Sequence, residues 1–232
     1  MAYSLIAHAL KQSTDTNVAQ TADQDTTGAN LLIIGISYIR PVVTPTISDA
    51  KSNSYTALTE STFVSPPLVR LFYNQGGTVG SGHWFKVDDT SGFPSIFAWA
   101  FSGSASSPLD SGSDNANSLA VPGTSIQPKS SGTFTPSEDN CLFVTMAGVA
   151  DIYGTPYSID SPFSPPSDQA GQVDAQAYGI AAAYEIQTTA TARNPTWSWT
   201  GSHYGAASMA VFKAAAVAGT TKHFLPLLGA GG

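Results

Sequence analysis

Leu31-Leu32-Ile33-Ile34-Gly35-Ile36-Ser37-Tyr38 decides the fold. The run is rich in β-branched and aliphatic residues and reads as a buried strand. A polar, turn-rich stretch from Asn17 to Asn30 precedes it, and short apolar segments of the same kind recur along the chain. They are Ser4 to Leu10, Leu68 to Tyr73, His83 to Val87, Ser95 to Phe101, Cys141 to Ala150, Tyr178 to Thr188, Thr196 to Thr200 and Ala207 to Lys213. In Ser95 to Phe101 the alternation places Phe97, Trp99 and Phe101 on one face of a strand. Ala181-Ala182-Ala183 has helix-forming residues, but Tyr178, Ile180, Tyr184 and Ile186 around it alternate on one face, so it reads as a strand. Thr46 to Asp49 and Ser54 to Leu58 flank a turn at Ala50 to Asn53 and read as a hairpin. The expectation is an all-β, antiparallel β-sandwich, jelly-roll-like, with a pseudo-duplicated half.

The duplication rests on three segments in the same order. Asn30 with the apolar run after it parallels Asn140 and the run after that, an offset of 110 residues. Tyr73 corresponds to Tyr184 and Phe101 to Phe212, both at 111. Two architectures fit: two small sandwiches, or one sandwich in which the halves interleave. A half-chain of about four or five strands would expose an apolar face, which favours the interleaved form. The expected organisation is one domain over residues 1–213, with a long Ser-, Gly-, Asn- and Pro-rich loop at 102–132 and a flexible arm at 214–232.

Composition narrows the function. The chain has 232 residues, of which 42% are hydrophobic, 10% aromatic and 11% charged, against about 25% charged in an average domain. Ser, Thr, Gly, Asn and Gln replace the missing charge, as on the surfaces of extracellular β-proteins and virion proteins. Net charge is −7 with nine Lys plus Arg; scattered cations cannot displace phosphate counterions, so nucleic acid is not an expected partner. An anionic membrane surface is disfavoured for the same reason. The apolar run from Ala206 to Val217 is interrupted by Lys213, and the residues from Met1 to Leu10 lack a basic leader, so synthesis in a cytoplasm is expected. The single cysteine, Cys141, lies in the apolar run Cys141-Leu142-Phe143-Val144 and reads as a buried, inert thiol.

No pattern of catalytic residues emerges, and no enzymatic activity, cofactor or metal is expected. His8, His83, His203 and His223 are dispersed in the sequence and read as isolated histidines. The adjacent carboxylates Asp88-Asp89 and Glu138-Asp139 point to opposite faces of an extended chain, so neither pair converges on a substrate. Gly76 to Gly82 lacks the Lys and helix that cradle phosphate. Asp110 to Asn117 alternates oxygen ligands that suit calcium, or simply forms an Asx-rich turn, the favoured reading. Trp197 and Trp199 share a strand face; with Tyr204 they are either core or a stacking platform for sugars, core being favoured. Finally, Phe224, Leu225, Pro226, Leu227 and Leu228 form an apolar peptide beyond a small-residue tether. It packs back on its own domain or docks on another chain as an extended arm.

Two sets of segments carry a resemblance. One is Asn194-Pro195-Thr196-Trp197-Ser198-Trp199-Thr200-Gly201-Ser202 followed by Ala206 to Lys213. The other is Gly28 to Ile33 followed by Pro45 to Asp49 and Asn53 to Thr56. Together, from about Asn30 to Lys213, they resemble β-sandwich structural and surface proteins of tailed bacteriophages and bacterial extracellular chains. The resemblance implies a virion structural or surface role without catalysis, and it brings no active-site residues with it. With the low charge and the apolar arm, the expectation is a capsid decoration or tail-associated protein that contacts other virion subunits and forms a homo-oligomer. A carbohydrate-binding module or adhesin, with glycans as the partner, is the alternative.

Overall fold

A computed structural model describes residues 2–12, 17–39, 45–62, 67–88, 93–150, 157–163 and 179–216. The expected arm residues Phe224 to Leu228 lie outside them. The described chain holds sixteen strands: β1 (Ser4–Gln12), β2 (Val18–Gln20), β3 (Leu31–Tyr38), β4 (Thr46–Asp49), β5 (Thr56–Glu60), β6 (Leu68–Gln75), β7 (Phe85–Asp88), β8 (Ser95–Ser102), β9 (Ser104–Leu109), β10 (Asn115–Ser118), β11 (Gly123–Ile126), β12 (Leu142–Val149), β13 (Ser158–Ile159), β14 (Gly179–Ile186), β15 (Trp197–His203) and β16 (Gly205–Ala214). Every ladder between them is antiparallel.

The strands form two large sheets and two small ones, and no sheet mixes the halves of the chain. In the first half β1-β8-β3-β6-β5 lies over β2-β7-β4; in the second β10-β16-β12-β14, with β9 also on β16, lies over β11-β15-β13. The pairing in the first half is nested: β1 with β8, β2 with β7, β3 with β6. The second half repeats it, β9 and β10 together taking the place of β1.

The repeat extends to the register. Leu31 pairs with Phe101 and Gln75; Leu142 pairs with Phe212 and Ile186, an offset of 111 at every member. Leu142, and not Cys141, is therefore the counterpart of Leu31, one residue away from the alignment that the shared Asn30 and Asn140 suggest.

Alternation explains why the central strands are apolar along their whole length. On β3, Leu31 and Ile33 face one core, while Leu32, Ile34 and Ile36 face another. The same split occurs on β12, where Leu142, Val144 and Met146 oppose Phe143, Ala147 and Val149. Three cores result. One lies within each half, between its large and small sheets. The third joins the halves and contains Val69, Leu71, Phe97, Trp99 and Phe101 with Val144, Met146, Ile180, Ala210 and Phe212. The molecule is thus a stack of four layers, small-large-large-small. The expected aromatic face of Phe97, Trp99 and Phe101 lies on this central seam.

Three expectations change. The halves stack instead of interleaving: a half does expose an apolar face, and the other half's large sheet covers it. Residues 102–132 are not one long loop, since β9, β10 and β11 lie there; Ser, Asn and Pro are tolerated because β9 and β10 are short strands beside only β16. Thr46–Asp49 and Thr56–Glu60 form no hairpin, because β4 pairs with β7 and β5 with β6, so the chain changes sheets between them.

Candidate functional site

Titratable side chains converge at the change of sheets. Asp49 ends β4, and its Oδ1 accepts the backbone N–H groups of Lys51 (2.9 Å) and Asn53 (3.0 Å), an Asx turn that redirects the chain. Its Oδ2 accepts from Tyr55 Oη (2.6 Å) and Asn53 Nδ2 (2.8 Å) and lies 3.0 Å from His83 Nε2. On the other side of the ring, His83 Nδ1 is 2.8 Å from Thr26 Oγ1. Thr26 Oγ1 in turn accepts from Gly80 N (3.0 Å) and faces Gly80 O (3.2 Å). The imidazole stacks on Phe85, with ring centroids 4.4 Å apart.

Burial works against a charged Asp49, but hydrogen bonds from His83, Tyr55 and Asn53 outweigh it and hold the carboxyl far below the usual carboxylate range. Burial, reinforced by the Asp49 charge, pushes the Tyr55 phenol well above its ordinary value.

Hydroxyl, imidazole and carboxylate stand here in the order that activates a nucleophile in hydrolases. The geometry does not permit that use. Thr26 and His83 are fully buried, and the Thr26 oxygen is held by the Gly80 backbone, so no substrate carbonyl reaches it. The group is a latch that fastens the segments around Thr26, Asp49 to Tyr55, and Gly80 to His83. Sequence reasoning took His83 for an isolated histidine because its partners lie 34 and 57 positions away. Nothing local announces them.

The candidate stacking residues do not assemble on a surface. Trp197 is 0% exposed and Trp199 6%. The Trp197 indole donates to Thr145 Oγ1 (3.0 Å) and that of Trp199 to the Gly123 carbonyl (3.0 Å), so both rings belong to the second half's core. Tyr204 is half-buried at the β15–β16 turn and presents no platform with them. Within Asp110 to Asn117 the two carboxylates are not brought together. Asp110 accepts from Ser137 N and Oγ (both 2.7 Å), whereas Asp114 accepts from Thr59 N and Oγ1, so the carboxylates face different segments. Among the described residues no three His, Cys, Asp or Glu side chains are grouped to hold a metal ion. Cys141 is buried, and burial pushes its thiol up to about 11.

Among the described residues the exposed large hydrophobic side chains are Ile6, Val18 and Val121, and the rows that face outward are polar. On the outward face of β11-β15-β13, Ser198 pairs with Ser125 on one side and Ser158 on the other, a row of three serines. On β2-β7-β4, Lys86 lies between Gln20 and Ser48 in a row of mixed polar residues. A groove of about 280 Å³ beside the serine row is lined by residues including Asn117, Gln127, Lys129, Ser130 and Thr196. A second, of about 360 Å³, runs between the halves past Ser54, Thr56, Tyr73, Asn74, Ser106 and Ser107. Such surfaces make hydrogen bonds to neutral hydroxyl-bearing ligands or to polar protein surfaces. The chain matches no protein-family model, no curated protein and no solved structure.

Proposed function

We propose that the chain is a non-catalytic structural component of a virus particle, a capsid decoration or tail-associated protein, assembled in the host cytoplasm and acting through protein–protein contacts. The observation that carries this reading is the nested strand order of each half, 1-8-3-6 over 2-7-4. We read it as two jelly rolls in tandem, and jelly rolls are a common architecture of capsid domains. The low-charge exterior and the apolar Phe224 to Leu228 run support contacts with other virion subunits. Molar mass by light scattering, for the full chain and for one ending at Ala216, tests the proposal. A defined oligomer that becomes a folded monomer on truncation is the expected outcome. Identical folded monomers would count against assembly through the arm.

The serine row and the two polar grooves favour a second reading, a carbohydrate-binding module or adhesin. Jelly rolls also serve as lectins. Titration calorimetry with neutral oligosaccharides separates the two: heat of binding that disappears on Gln127→Ala or Asn74→Ala favours the lectin reading, and no heat with any of them favours the structural one.

A further inference from the structure

The seam between the two large sheets has a symmetry of its own. Tyr73 packs edge-on against Phe212 with ring centroids 5.5 Å apart, and Tyr184 packs edge-on against Phe101 at 5.3 Å. Tyr184 is the register counterpart of Tyr73, and Phe212 that of Phe101. The two contacts are therefore one contact made twice, with the halves exchanging roles. Near the centre, residues meet their own counterparts. A side chain at Gly35 would strike Met146, and one at Gly148 would strike Ser37; Gly35 corresponds to Met146 and Ser37 to Gly148 in the repeated ladders. A residue that touches its own counterpart lies on a twofold axis. Contacts of i with j repeated as j with i define an isologous interface, the kind that joins identical subunits.

We infer that the outer face of each large sheet is a self-complementary docking surface whose partner is another copy of the same rolled sandwich, and that within this chain the other half occupies it. The chemistry is that of a dimer core. The core of the seam is built of aliphatic and aromatic side chains, with aromatic edges at two symmetric positions. The tether is minimal, since Gly103 alone separates β8 from β9. Recognition resides in the face and not in the tether. The pairing of the two faces is independent of any particle or ligand outside.

The test is to insert a protease-cleavable sequence after Gly103 in the full chain and measure molar mass before and after cutting. The cut halves are expected to remain together at the mass of the intact chain and to retain their near-ultraviolet dichroism. Halves that separate while still folded, or that unfold on cutting, would overturn the inference. Because the insertion itself could prevent folding, a second measurement uses the uninterrupted chain. Phe212→Ala in the second half is expected to accelerate amide exchange in Leu31–Tyr38 and Leu68–Gln75 of the first by about tenfold. Exchange that changes only in the second half would contradict it.

Discussion

The three central strands of each large sheet share a ladder register to the residue, and the outward sides of the two small sheets share almost nothing. β3 and β12 are apolar at both faces, sit between equivalent neighbours and meet at the seam. Yet the small sheet of the first half shows Gln20, Lys86 and Ser48, and that of the second shows three serines. The inward ends differ as well: Asp49 opposes Phe85 in the first, while Ile159 opposes Trp197 in the second. The contrast teaches which constraints the fold imposes. Backbone register and burial are kept at the seam, where a small residue meets a larger counterpart, as Gly35 meets Met146, whereas outward positions are free to take new partners. It also explains why so few identities survive between halves whose register is the same: burial pattern is kept and residue identity is not.

The comparison can be broken or sharpened by substitution. Phe101→Ala and Phe212→Ala remove fully buried rings at equivalent points of the seam, and each is expected to cost about 3–5 kcal/mol in urea unfolding. Costs that differ by more than about 2 kcal/mol would end the equivalence. His83→Ala strikes only the first half. It leaves Asp49 buried without its imidazole partner and is expected to cost about 2–3 kcal/mol, with faster amide exchange near Thr26 and Gly80 and none near Trp197. Equal loosening of both halves would show that the latch is not local.

Acid offers a finer probe. The folded-state pKa of Asp49 lies below its unfolded value, so its stabilisation is fully present above about pH 5 and is lost as pH falls from about 4 towards the folded pKa. Asp49→Asn is expected to flatten that part of the stability curve; an unchanged slope would remove Asp49 from the acid response. Least affected is the outward face. Lys86→Ser breaks a 3.4 Å pair with Asp88 between partly exposed side chains and is expected to change stability by no more than about 0.5 kcal/mol.

Much of the fold was legible in the sequence. Apolar runs such as Leu31 to Tyr38 and the Ala-containing run around Ala182 announced strands, because two-sided burial demands continuous apolar character. The 111-residue spacing of Tyr73 with Tyr184, and of Phe101 with Phe212, announced the duplication. The stacking of the halves was not legible, since an apolar face records that it is covered and not what covers it. The strands at 104–126 were hidden by the polar composition that edge positions allow. The latch was hidden for another reason: Thr26, Asp49 and His83 lie on separate segments, and only the nested pairing brings them together. Trp197 and Trp199 illustrate the limit for sites, because alternation fixes that they share a face but not which face is inward.

A double-mutant cycle at each of the two reciprocal aromatic contacts tests the central claim most directly. Tyr73→Ala with Phe212→Ala forms one cycle, and Tyr184→Ala with Phe101→Ala the other. Two coupling energies of about 0.5–1.5 kcal/mol, equal within error, are the expected result for one isologous contact made twice. Coupling in one cycle and none in the other would contradict it.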